Sequence, residues 1–334
     1  MRRWRFLSVR HMPRISIGLP VYNGEKYIAP TLDSILMQTY SDFELIIGDN
    51  ASTDRTSEIC QDYASQDRRL RYVRHTHNLG AIPNFNHVFT LASGEYFRWA
   101  AHDDLMAPKF LTSCVAALDT TPEATLCAPL VCYIDEFGDP LSVYDSHLQS
   151  IEAAEPSVRF ASLILRPHPG NDLYGLIRKG VLVGSAPLGS FHGADRAFLV
   201  ALALKGPFVR LRESLLMIRE HPDRYTRSST RPQDRLAWHD ARQTGRLYLP
   251  TLRLYAAYWR LVLASEISAG ERWRCYQHLL RWWGHNWNWA RLGVDVCASV
   301  LPDVVAYAET FKQRVFSPRP GAPTNHKRNS SFKP

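Results

Sequence analysis

The 334 residues are 45% hydrophobic and 22% charged, ordinary for a globular chain and outside the range of disordered or fibrous sequences. The formal net charge of +8 is unevenly spread: residues 15–225 are net −7, whereas residues 1–14, 226–316 and 317–334 carry +5, +6 and +4. An acidic central part argues against nucleic acid as a partner, and the basic remainder suits an anionic membrane or acceptor.

The opening "MRRWRFLSVRHMPR" lacks the continuous apolar stretch of a signal peptide. Residues 1–13 therefore read as a basic leader, with Met12 an alternative native start. "RISIGLPVYN" is an apolar strand ending in a turn, and "EKYIAPTLDSILMQ" repeats its apolar residues at helical spacing. "FELIIGDNAS" is a second strand. "TDRTSEICQDYASQ" is a second helix, with Thr53 or Asp54 as its N-cap. "LRYVRH", "NLGAIPNFNHVFTLA" and "GEYFRWAA" continue as strand, helix and strand. Such alternation predicts an α/β, doubly wound sheet whose ligands sit at the carboxyl ends of the strands.

After residue 124 the alternation loosens. "ATLCAPLVCYIDEFGDPLSVY" predicts a hairpin around Gly138-Asp139, and "GADRAFLVALALKG" a helix. Residues 226–316 read as a helical appendage, with six of the nine tryptophans gathered between Trp259 and Trp289. These rings are expected to pack the helices onto the rest of the chain, with peripheral membrane contact as the alternative. The tail, 317–334, is Pro-, Ser- and base-rich and predicts disorder. No run reaches the ~20 apolar residues of a membrane span; "LYAAYWRLVLA" is interrupted by Arg260. Six scattered cysteines, with no C-x-x-C, fit reduced thiols and a cytoplasmic setting.

Chemistry gathers at the strand ends. In "FRWAAHDDLMAP" two carboxylates, Asp103 and Asp104, stand side by side after an apolar run. Burying such a pair is costly without a compensating cation or donor. A divalent ion completed by substrate phosphates supplies one, and oxygen ligands suit Mg²⁺ or Mn²⁺. On the residues alone a second reading stays open, in which one of the pair caps a helix starting near Pro108. Asp49 closes "LIIGD" in the same way and is placed to accept from a nucleobase or ribose.

Taken together, "ISIGLPVYNGEKYIAPTLDSILMQTYSDFELIIGDNASTDRT" and "NLGAIPNFNHVFTLASGEYFRWAAHDD" resemble the family 2 glycosyltransferases of GT-A fold. The resemblance is dense over residues 14–112 and thinner to about 225. It implies a catalytic domain over 14–225, with a nucleotide-sugar half (14–112) and an acceptor half (113–225). It further implies an inverting transfer of a single sugar from a nucleotide-diphosphate donor to a glycan, polysaccharide or lipid-linked acceptor. The Q-x-x-R-W signature of processive members is absent from the sequence. Pro20, Tyr22 and Asn23 match the first-strand turn that lines the nucleotide pocket. Asp49 matches the first aspartate of D-D-G-S, with Asn50 replacing the second. Asn78, Gly80 and Asn86 match the N-x-G segment and the helix after it. Asp103 and Asp104 match a shortened D-x-D, Asp104 as the main metal ligand and Asp103 nearer the sugar. Asp195, opening "GADRAFLVALALKG", matches the general base, with His192 second to it. Arg178, Arg219 and His221 are possible diphosphate contacts that read more simply as structural residues. Two other functions compete. A sugar-phosphate nucleotidyltransferase calls for a Gly-rich basic loop where "LPVYNGEKY" has one glycine and one lysine. A non-catalytic nucleotide-binding module would have little use for the acidic pair and Asp195.

Overall fold

A computed structural model of the chain describes residues 12–146, 148–182, 188–222, 224 and 249–300. The expectations for most of the leader, for 226–248 and for the tail lie outside the described residues.

Nine strands form one mixed sheet: β1 Ile15–Val21, β2 Phe43–Asp49, β3 Leu70–Arg74, β4 Tyr96–Trp99, β5 Leu105–Met106, β6 Leu126–Ile134, β7 Pro140–Tyr144, β8 Leu176–Arg178 and β9 Phe208–Arg219. Their order is β3-β2-β1-β4-β8-β6-β9-β5, with β7 beside β6. The pairs β1–β2, β1–β4 and β2–β3 are parallel, and β8 runs antiparallel to both β4 and β6. Every residue of β1 is buried, because a central parallel strand is covered on both faces. This is why "ISIGLPV" reads as an apolar run and not as an alternation.

The first three crossovers are helical: α1 Ile28–Leu36, α2 Thr56–Gln66 and α3 Ala81–Leu91. They are succeeded by α4 Phe110–Thr120, α5 Pro156–Leu165, α6 Ala194–Lys205, α7 Pro250–Ala264, α8 Ala269–Gly284 and α9 Asn288–Val300. Two apolar layers flank the sheet. One gathers α1 and α4 residues such as Leu32 and Phe110 against Ile17 and Leu45. The other packs α3, α5, α6, α7 and α8 through Val88, Phe160, Phe198, Tyr258 and Trp282 around Trp99.

α8 begins with a side-chain N-cap. Ser268 accepts from the Glu271 N–H, and the Glu271 carboxylate accepts from the Ser157 N–H of α5 at 2.7 Å. Glu271 thus ties the start of α8 to the start of α5. The expected packing role holds for Trp282, which is buried, and for Trp283, which packs at its edge. It fails for Trp259, Trp273, Trp287 and Trp289, which are exposed.

β2 and β3 lie on one side of β1, and β4 returns on the other. The strand order therefore reverses at β1, where crossover helices leave a crevice above the carboxyl ends. The turns after Val21, Asp49, Arg74 and Trp99 all meet there.

Candidate active site

The first two strand-end turns are knitted together by side chains. Asn23, at φ 52°, accepts the Thr53 N–H at 2.8 Å, while its own N–H donates to Ser52 Oγ. Asparagine tolerates this left-handed conformation at little cost. The Gly24 N–H donates to Thr56 Oγ1 at 2.8 Å. α2 starts at Thr56, later than a Thr53 or Asp54 cap requires. Asp54 still serves its first turn by accepting the Thr56 N–H.

Asn50 organises the third turn. Its amide donates to Asn78 Oδ1 at 2.9 Å and to the Gly80 carbonyl, and its oxygen accepts the Leu79 N–H. The amide that replaces the family's second aspartate therefore donates two hydrogen bonds that a carboxylate cannot make. Gly80, at φ 90°, turns the chain into α3. Within α3, buried Asn84 spans the Gly48 carbonyl and His75, and Asn86 holds Leu188 by a reciprocal pair of bonds.

Asp49 is fully buried and faces sideways, not into the cleft. It accepts from the Ser52 N–H, from Tyr72 Oη at 2.5 Å, and lies 3.5 Å from Arg74. Its carboxylate braces the β2–β3 edge of the crevice.

The acidic pair is not a helix cap. α4 begins at Phe110 with Lys109 in the N-cap position and no side-chain cap. The chain runs from the pair straight into the two-residue strand β5, aligned antiparallel to β9 with Leu105 opposite Met217. That register sets Asp104 beside the end of β9, where Oδ1 accepts the Arg219 N–H at 3.0 Å. The Arg219 guanidinium donates to the Asp103 carbonyl and to the carbonyls of Asp135 and Glu136, so it clamps the β6–β7 hairpin over the pair. His221 Nε2 lies 2.9 Å from Asp103 Oδ2, and its ring sits 4.8 Å from that of Tyr27. On the other side Thr31 Oγ1 donates to the carbonyls of His102 and Asp104.

The two carboxyls titrate apart. Burial, and then the neighbouring charge of Asp103, push Asp104 up to about 8. For Asp103 burial acts upward as well, but His102 and then His221 outweigh it and hold the group below the usual carboxylate range. Adjacent carboxyls titrate apart because the charge on one disfavours the charge on the other.

Pro20, Tyr22, Asn23, Asn50, Asn84, Asp103, Asp104, Tyr174, His221 and Arg224 line one cleft of about 440 Å³. Among the sequence candidates the fold brings Pro20, Tyr22, Asn23, Asn50, Asp103 and Asp104 to this lining; Asp49, Asn78 and Gly80 stand behind it as supports. Tyr174 and Asn84 were missed, since neither belongs to a recognisable turn or acidic motif. Arg219 and His221, read from sequence as structural, are in direct contact with the acidic pair. Arg178 is indeed structural: it donates to the Ala124 and Leu118 carbonyls.

Asp195 stands in the first turn of α6 behind Gly193, half-buried. Its carboxylate approaches the backbone of Gly170 (φ 78°) so closely that a Cβ there would lie 2.8 Å from Oδ2. Tyr174 is within electrostatic reach of both acidic groups: burial first, then Asp104 and Asp103, and also Asp195, push its phenol up. Asp195 does not itself line the cleft.

The donor set fits a divalent cation. Among the described residues, the side-chain oxygens of the pair are engaged by the Arg219 N–H and by His221 Nε2, and His221 Nδ1 is buried with no partner. Among the described residues no three His, Cys, Asp or Glu side chains surround a common metal position, so remaining ligands have to come from substrate and water.

The sequence model for glycosyl transferase family 2 matches residues 16–163. EpsE of Bacillus subtilis is 33% identical over 127 residues, 38% of this chain and 46% of EpsE. The glycosyltransferase GlyG of Streptococcus pneumoniae is 37% identical over 92 residues, 28% of this chain and 31% of GlyG. The chain thus spans less than half the length of these curated relatives. Among solved structures, S. aureus TarS 1–349 in complex with UDP-GlcNAc aligns with a TM-score of 0.60, covering 90% of this chain and 85% of that one at 17% identity. The architecture is therefore of GT-A type.

Proposed function

We propose that this chain, whose residues 16–163 form a glycosyl transferase family 2 domain, is an inverting glycosyltransferase using a nucleotide-diphosphate sugar. The observation that carries the reading is the adjacent pair Asp103 and Asp104, side by side in the cleft lining, with Asp104 buried and Asp103 nearly so. Pro20, Tyr22, Asn23 and Asn50 form the wall on which the nucleoside lies. Asp104 and Asp103 would hold Mg²⁺ or Mn²⁺, which would supply positive charge against the leaving diphosphate.

The reaction forms a bond between an acceptor hydroxyl oxygen and the anomeric carbon and breaks the bond from that carbon to the diphosphate oxygen. The diphosphate leaves with the electron pair, on the face opposite to attack. Asp195 takes the hydroxyl proton, as a carboxylate within reach of the acceptor does in general-base catalysis. A glycan, a polysaccharide or a lipid-linked sugar supplies the hydroxyl. The six cysteines are all free thiols, in keeping with a cytoplasmic enzyme. No helix among the described residues is long and apolar enough to cross a membrane.

UDP-GlcNAc, the ligand in the TarS structure, is the first donor to test, alongside other nucleotide sugars. The melting temperature is expected to rise with the correct donor and rise further with Mn²⁺, since a ligand of the native state stabilises it by mass action. Turnover should release a nucleoside diphosphate. Pyrophosphate as the product, or no donor that shifts the melt, overturns the reading.

A further inference from the structure

Two of the four exposed tryptophans, Trp259 and Trp273, belong to one surface stripe. On α8, Trp273, Tyr276 and Leu280 succeed one another at three- and four-residue spacing and so share one helix face. Trp273 and Leu280 are 64% and 69% exposed. Trp259 of α7 stacks on Tyr276 with ring centroids 4.6 Å apart, and Leu263, one turn further along α7, is 62% exposed. An aromatic and leucine stripe thus crosses two packed helices. Beyond α8, Trp287 and Trp289, the latter in α9, form a second exposed pair 5.7 Å apart.

Cations border this stripe. α7 contains no acidic residue, and in α8 the one acid, Glu271, is committed to the Ser157 N–H and to Arg274. Arg281 lies a quarter-turn from the Trp273–Leu280 face. With His278 and His285 it forms one wall of a groove of about 370 Å³, and Ser162 and Arg166 of α5 form the other; no acid lines it. Ser162 is 4% exposed, and its hydroxyl, like His278 Nδ1, is buried without a hydrogen-bond partner. A phosphate in the groove would meet Arg281 and Arg166 and no carboxylate.

We propose that the α7–α8 face docks on an anionic lipid bilayer. The Trp259–Trp273–Leu280 stripe enters the boundary between headgroups and acyl chains, and the Arg281 groove receives a lipid phosphate. Tryptophan prefers that depth, where an apolar ring and a polar N–H are both accommodated, and basic side chains beside it gain from the negative surface potential. A second copy of the chain meeting this face would set cations against cations, which a bilayer of anionic headgroups reverses into attraction. The proposal does not depend on the sugar-transfer reading, because docking is measured with no donor present.

The test is co-sedimentation of the full chain with vesicles of phosphatidylcholine alone and of phosphatidylcholine mixed with phosphatidylglycerol. Binding is expected on the mixed vesicles, weakening with salt. Trp273→Ser combined with Leu280→Ser should lower partitioning about tenfold or more, and Arg281→Glu should remove the preference for anionic lipid. Quenching of wild-type tryptophan fluorescence by brominated lipid gives a readout that needs no variant. The proposal is overturned by a folded protein that ignores both vesicle types, or by partitioning that the double variant leaves unchanged. It is equally overturned by a groove that binds inorganic phosphate while vesicles are ignored, or by a concentration-dependent dimer that Trp273→Ser abolishes.

Discussion

His221 Nε2 stands 2.9 Å from Asp103 Oδ2, and the two residues are joined across 118 positions of sequence by the pairing of β5 with β9. The imidazole and His102 together offset the burial that would otherwise raise the Asp103 carboxyl. Replacing His221 by Gln removes a charge partner while keeping a hydrogen-bond donor. Asp103 should then titrate at higher pH, moving the acid limb of the kcat/KM profile upward, with a fall in kcat of about tenfold. An unmoved acid limb would show that His221 acts only as packing.

Asp104 carries the opposite shift. Its folded-state value of about 8 exceeds the ordinary carboxylate value, so the folded protein holds a proton that the unfolded chain has released. Stability contributed this way is complete below about pH 4 and is lost as pH rises through 8. Asp104→Asn keeps an oxygen for the Arg219 N–H and has no charge to bury. The variant should therefore melt as high as wild type or higher at pH 8 without added metal, and lose sugar transfer by about a hundredfold or more. Retained turnover in the variant would remove Asp104 from the chemistry.

Asn50→Asp restores the acid found at this position in the family pattern, yet should harm this chain. The new carboxylate would face Asn78 Oδ1 and the Gly80 carbonyl, two acceptors now served by the Asn50 amide. The expected cost is about 1–3 kcal/mol in denaturant unfolding, with a raised KM for the donor. A neutral substitution would mean that the 78–80 turn holds its shape without this amide.

Asp195→Asn should lower kcat by about 10²–10⁴ while leaving donor affinity measured by calorimetry unchanged. Gly170→Ala should reproduce part of that loss, since the added Cβ meets the Asp195 carboxylate at 2.8 Å and the φ of 78° suits glycine. Normal kcat in Asp195→Asn would move the base elsewhere.

Arg210 and Asp172 form an ion pair of 2.6 Å, each side chain less than a tenth exposed. Arg210→Leu leaves the Asp172 carboxylate buried without its cation and should destabilise the fold by about 3–5 kcal/mol. Chemical denaturation at neutral pH measures it. The double replacement Arg210→Leu with Asp172→Asn should recover much of the loss, because the stranded charge is gone.

The strand-end candidates were legible because a parallel strand covered on both faces must be apolar along its length and can turn polar only where it leaves the sheet. "ISIGLPVYN", "FELIIGDN" and "YFRWAAHDD" therefore carry both the elements and most of the cleft lining in their own residues. The hairpin at Gly138-Asp139 and the helix behind Asp195 were legible for the same local reasons, turn chemistry and helical spacing. Three decisions belonged to the tertiary structure. A two-residue β5, too short for any periodicity, brings Arg219 and His221 to the acidic pair, and long-range registry leaves no local trace. Asp49 closes a buried strand but is spent on Tyr72 and Ser52, a choice made by neighbouring strands and not by its own turn. The six C-terminal tryptophans are alike in composition, and only the packing of α7 on α8 decides that Trp282 fills a core while Trp273 meets solvent.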